Sequence, residues 1–130
     1  MDYKLRFKQT FEKVLGDVRF DEAVIRQHFA PDYHQWVDGK ELDLDDFIQH
    51  MRALKASLES CEFEFRKLIV EGNELHSTHY VDAVKKDGGR VKAKVIGLFS
   101  FNPQGQLTSC DEMTYLIEGS EADRDLGSRT

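Results

Sequence analysis

Val91-Lys-Ala-Lys-Val-Ile-Gly-Leu-Phe-Ser-Phe-Asn-Pro-Gln-Gly-Gln-Leu-Thr-Ser-Cys-Asp-Glu-Met-Thr-Tyr-Leu-Ile-Glu118 reads as two long strands joined by a tight turn at Asn102-Pro-Gln-Gly105. The first strand is apolar on both faces at its centre, and the second carries the acidic pair Asp111-Glu112 in its middle. A carboxylate inside a covered sheet is costly unless it is paired, hydrogen-bonded or protonated. The acidic pair is therefore either a structural polar contact or the working part of a pocket.

Upstream, Asp87-Gly88-Gly89 is a hairpin signal that joins this pair to a strand over Leu75–Val84. Gly72-Asn73 marks another turn, and before it apolar residues alternate. Phe63 and Phe65 share one parity, Leu68 and Val70 the other, which predicts a bulge near Lys67. Before Ser60 the period is helical: Phe47, Met51, Leu54 and Leu58 form a stripe behind an N-cap at Asp43. A short extended segment, Asp32–Val37, closes in a turn at Asp38-Gly39. Asp21 caps a helix that Pro31 stops, and Tyr3, Phe7, Phe11 and Val14 stripe a helix ending near Gly16. Three helices with one short strand among them, then four long antiparallel strands, predict an α+β domain with the helices packed on a curved antiparallel sheet. We expect one domain over residues 1–118 and a polar C-terminal tail over 119–130.

The 130-residue chain is 40% hydrophobic and 32% charged, a globular balance, and its net charge of −6 argues against nucleic acid or an anionic membrane as partner. Lys4, Arg6, Lys8 and Lys13 fall at helical spacing and read as a solvated face. Cys61 and Cys110 lie far apart, outside any metal-binding spacing, and are expected to be reduced. The N-terminal stretch lacks an apolar signal core, and no apolar run approaches the ~20 residues of a membrane span. These features predict a soluble, cytoplasmic domain. His28, His34 and His50 fall on separate elements, and His76 and His79 point to opposite faces of a strand, so no metal site is expected. Gly88-Gly89 lacks the helix that a phosphate loop requires, and no cofactor is expected.

Two helices, then Phe29-Ala-Pro-Asp-Tyr33, a short strand, a helix, and a meander containing Phe99-Ser-Phe-Asn102 and Gly105-Gln-Leu107 resemble the NTF2-like superfamily, in particular its SnoaL-like and ketosteroid-isomerase-like group. Asp111–Gly119 and Asp123–Ser128 look like small SnoaL-like proteins. The resemblance spans essentially the whole chain. It implies a cone: a bent sheet around an apolar pocket closed by helices, with a homodimer formed through the outer sheet face. The fold hosts isomerases, cyclases, dehydratases and non-catalytic binders, so it does not select a reaction. The isomerase's own residues do not carry over. Its tyrosine position falls on Gln9, its protonated aspartate on Gly97, and its base on Val37, one short of Asp38. Steroid isomerisation is not expected.

If Gly97 faces the pocket as its isomerase counterpart does, then Val95, Phe99, Cys110, Glu112 and Thr114 face it too. Asp111 then points outward with Met113 and Tyr115. Apolar content alone favours Asp111 as the enclosed acid; we follow the register. Glu112 is then the candidate general acid or base, or else a structural hydrogen-bonding group. His79, on the face of Ser77, Val81 and Ala83, is either its partner in proton transfer or a satisfied core histidine. Asp38 is the third candidate, against a plain turn role. Tyr33 and Trp36 are expected to stack on a small apolar or cyclic ligand, with Phe11, Val95, Phe99 and Thr114 completing the pocket. The alternatives are a non-catalytic ligand-binding or dimerisation module and a protein–protein adaptor. Phe7, Phe11, Phe99 and Phe101 together have the bulk to fill a small cone.

Overall fold

Asp2 opens the first helix by accepting a hydrogen bond from the Leu5 N–H at 3.0 Å. The structure, a computed structural model, describes residues 1–119. Helix α1 (Tyr3–Thr10) runs into a π-helical turn (Phe11–Leu15), closed by a hydrogen bond from Gly16 N to Phe11 O at 2.7 Å. The predicted stripe is buried here, with Phe7, Phe11 and Val14 all enclosed. Helix α2 (Glu22–His28) starts at the Asp21 cap, whose side chain accepts from the Ala23 and Val24 N–H groups. It ends before the proline is reached. Pro31 instead lies inside strand β1 (Phe29–Val37), which begins three residues earlier than the sequence suggested.

Asp38 and Gly39, with φ of 53° and 83°, turn the chain into a strand the sequence reading missed, β2 (Lys40–Asp43). Asp43 then caps α3 (Leu44–Ser57) in a reciprocal capping box with Asp46. The remaining strands are β3 (Leu58–Glu71), β4 (Glu74–Lys85), β5 (Arg90–Phe101) and β6 (Leu107–Glu118). Leu58, which extends the helical stripe in sequence, is the first residue of β3.

The six strands form one curved sheet in the order β2-β1-β6-β5-β4-β3. The long strands pair antiparallel, and β3 shifts register between Phe65 and Lys67, where the bulge was expected. That shift returns Leu68 and Val70 to the face of Phe63 and Phe65, so all four pack on the core. The β1–β6 pairing is parallel, with Gln35 opposite Cys110 and Val37 opposite Glu112. This departs from an all-antiparallel sheet because β1 reaches β6 across the whole domain rather than through a hairpin. Among the described residues no helix is long and apolar enough to cross a membrane. The predicted tail lies outside the described residues from Ser120 onward, including the Asp123–Ser128 motif.

Candidate functional site

The concave sheet face and the helices border a half-open cavity of about 100 Å³. Aromatic rings dominate much of its wall: Phe11 from the π-helical turn, Phe63 from β3 and Phe99 from β5. The rings of Phe11 and Phe63 stand edge-on at 5.2 Å between centroids. Phe7 and Phe101 do not line the space. Phe7 packs behind it, 4.4 Å from the Phe11 ring and 4.7 Å from Phe99. The four aromatics thus narrow the cone without filling it.

A polar group of side chains comes from β1 and β6. Strand alternation turns Tyr33 and Gln35 inward together, and the Tyr33 hydroxyl donates to Gln35 Oε1 at 2.9 Å. Cys110, Glu112 and Thr114 project from the adjoining strand into the same cavity. The register expectation therefore places Glu112 inside, while Asp111 is exposed. Glu112 is half-buried by exposed area, yet its carboxyl is packed closely by protein. Burial first, and the nearby Asp38 second, raise its pKa from 4.5 to about 7, against a hydrogen bond from the Cys110 thiol. Burial also lifts the Tyr33 hydroxyl and the Cys110 thiol well above their ordinary ranges.

Gly97 lies directly opposite Glu112 in the β5–β6 ladder. A Cβ on Gly97 would stand 2.9 Å from Glu112 Cβ and 2.9 Å from the Phe99 ring, so glycine is needed here for space. Gly97→Ala is expected to destabilise the fold by about 1–3 kcal/mol, the usual range for overpacking a tight core. Urea unfolding checks this; an unchanged midpoint would mean that Phe99 turns aside freely.

His79 is 1% exposed and hydrogen-bonded through Nδ1 to the Ser77 hydroxyl at 2.7 Å. The rings of Phe11, Phe65 and Phe63 surround it at 5.0, 5.7 and 6.1 Å. This burial lowers its pKa to about 4, so the imidazole is neutral near physiological pH. His79 pairs with Val95 and Glu112 with Gly97, which leaves strand β5 between the two candidates. They face one cavity from backbones roughly 10 Å apart across the sheet, and direct proton exchange between them needs a bridging group.

Asp38 stands at the exposed β1–β2 turn, outside the cavity wall. Its Oδ1 accepts from the Thr114 N–H at 2.7 Å, and its own N–H donates to Glu112 O at 3.0 Å. It ties the β1–β2 turn to β6, and its charge helps to raise the pKa of Glu112. Trp36 requires a correction. With Tyr33, Gln35 and Val37 facing inward, strand parity turns Trp36 outward, where it is 42% exposed against His34 and cannot stack on a ligand in the cavity. Phe11, Tyr33 and Thr114 do line the cavity, as do Val95 and Phe99.

Sequence reading missed Gln35 and His50, both of which line the cavity and are 2% exposed. The signals were present. Gln35 lies two residues from Tyr33 on the same strand face, and His50 lies on the stripe of Phe47, Met51 and Leu54 at helical spacing. Among the described residues no cluster of His, Cys, Asp and Glu could hold a metal ion.

No protein-family model matches the chain. An uncharacterised protein of the fission yeast Schizosaccharomyces pombe is 39% identical over 116 residues, covering 89% of this chain and 88% of that protein. The fold is also that of a proposed SnoaL-like polyketide cyclase from a Jannaschia species (TM-score 0.70, 15% identity, 86% of this chain and 84% of that one). The chain belongs to one family with that yeast protein, and its fold is that of the SnoaL-like and NTF2-like proteins. IdmH, a proposed polyketide cyclase from Streptomyces antibioticus, superimposes on this domain with a TM-score of 0.73 over 98% of both chains, at 9% identity. Identities this low carry the fold and not the reaction.

Proposed function

We propose that this protein, which has the SnoaL-like fold, binds a small cyclic or carbonyl compound in its cavity and moves a proton on it without a cofactor. Glu112 carries the reading. A carboxyl enclosed among apolar groups and titrating at about 7 has both protonation states populated near neutrality, the condition for efficient general acid–base work. Glu112 takes and returns the proton, and Tyr33 and Gln35 beside it orient the ligand's polar group. Phe11 and Phe99 hold the apolar part. His79, neutral and across the cavity, meets a ligand large enough to bridge. The resemblance of the fold to polyketide cyclases agrees with chemistry on cyclic carbonyl compounds.

The test is exchange of α-protons for deuterium in a panel of small cyclic ketones, followed by proton NMR. The protein is expected to accelerate exchange, and Glu112→Gln to slow it by roughly 10²–10⁴-fold, the usual worth of a general base, while ligand binding survives. A variant that exchanges as fast as the parent would remove Glu112 from the chemistry. Binding without exchange in the parent protein would instead support the non-catalytic ligand-binding module, a reading favoured by the hydrogen bond that already occupies His79.

We also propose a homodimer through the outer sheet face. Ile96 and Leu98 of β5 and Met113, Tyr115 and Ile117 of β6 are 46–73% exposed there, a continuous apolar patch of the kind that marks an interface. Sedimentation is expected to give twice the 15.0 kDa chain mass, and Met113→Asp with Tyr115→Lys to give the monomer. A parent protein that sediments as a monomer at micromolar concentration would refute it. The free cysteines Cys61 and Cys110 fit a reducing, cytoplasmic setting.

A further inference from the structure

The cavity wall is divided by chemistry. Tyr33 and Gln35 from β1 and Cys110 and Glu112 from β6 make one polar pole, while Phe11, Phe63 and Phe99 make an aromatic slot. No lysine or arginine is among the described residues that line it. Resting on the small-molecule reading above, we infer that the cavity selects uncharged single-ring compounds, seats their hydroxyl or carbonyl at the Tyr33–Gln35–Cys110–Glu112 pole, and excludes carboxylate- and phosphate-bearing ligands.

Size sets the single ring. An engineered apolar cavity of ~150 Å³ holds benzene, and this one measures about 100 Å³ with an aromatic wall that also favours a flat guest. Charge sets the neutrality. An anion entering here would lose its hydration with no guanidinium or ammonium to replace it, beside a carboxyl that ionises near neutral pH. The pole itself is versatile. Ionised Glu112 accepts from a ligand hydroxyl; protonated Glu112 donates to a ligand carbonyl.

That duality makes the two neutral classes respond oppositely to pH. The titratable groups facing Glu112 are Asp38 from the β1–β2 turn, Tyr33 from β1, Cys110 from its own strand and, across the cavity, Cys61 of β3, His79 of β4 and His50 of α3. A Glu112→Gln control isolates Glu112 from all of them, because it keeps the shape and hydrogen-bonding capacity of the pole and removes its titration.

The experiment titrates p-cresol, cyclohexanone and benzoate into the protein at pH 6 and pH 8, read by amide NMR shifts. As pH rises, p-cresol is expected to tighten and cyclohexanone to weaken, each by up to about tenfold, since each binds one protonation state. Benzoate is expected not to saturate where p-cresol does. In Glu112→Gln the two neutral ligands still bind and their pH trends vanish. Benzoate binding as well as p-cresol, trends that persist in the variant, or no binding of any ring would each overturn the inference. Exchange on an acyclic ketone without ring binding would overturn it and leave the catalytic reading standing. Ring binding with the expected trends but no exchange would do the reverse.

Discussion

Phe7→Ala is expected to cost about 3–5 kcal/mol of stability, the range for truncating a fully buried phenylalanine. Phe7 is 0% exposed and packs between α1 and the sheet, with the rings of Phe11, Phe99 and Phe65 at 4.4, 4.7 and 5.8 Å. Those neighbours are themselves held by the cavity wall and by the strands, so they cannot collapse fully into the space. The melting temperature of a domain this size should fall by roughly 10–20 °C. The void would adjoin the existing cavity, and added benzene should restore part of the loss by binding the folded state. A loss below about 1 kcal/mol would show that α1 is not anchored through this ring.

The second large effect is on the pH dependence of stability. Glu112 is raised on folding from 4.5 to about 7, so between these values the unfolded chain gives up a proton that the folded one keeps. Its contribution therefore falls as pH rises through that window, by about 3 kcal/mol at about 1.4 kcal/mol per pH unit. His79 and His28 act in the other direction. Burial lowers each from 6.5 to about 4, so the stability they allow is present above 6.5 and is lost as pH falls toward 4. From pH 4.5 to 6.5 the two histidines outweigh the one carboxyl, and stability should rise. Above 6.5 the carboxyl acts alone, and stability should fall. Glu112→Gln is expected to abolish that fall, so its stability relative to the parent improves by about 3 kcal/mol between pH 5 and pH 8. Urea unfolding at both pH values measures the difference. A constant offset would mean that the Glu112 carboxyl is wet in the folded protein.

The elements with local signals were legible. The Asp21 and Asp43 caps, the stripe of α1, the Lys67 bulge and the inward face of His79 each follow from residues within a few positions of one another. Where local patterns gave two answers, register decided. Apolar content favoured Asp111 as the enclosed acid, and the ladder through Gly97 placed Glu112 there. Trp36 misled because a large aromatic ring suggests a binding surface, whereas its parity on β1 is set by Tyr33 two turns of the pleat away from Val37. Strand β2 was invisible: four residues of which three are charged have no alternation to read, and only pairing with β1 makes them a strand.

The sequence by itself determined the order of the helices and of every strand but β2, the turn positions and which side chains share a face, because these depend on spacing and on backbone preferences of neighbouring residues. Tertiary structure alone decided that β1 lies parallel beside β6, which brings Tyr33 and Gln35 up to Cys110 and Glu112 from more than seventy positions away. It also decided that Asp38 reaches Thr114 across the same seam. The perturbed carboxyl follows from that closure. Burial and a neighbouring charge are properties of a place in space, and strand alternation can say which way Glu112 points but not what surrounds it.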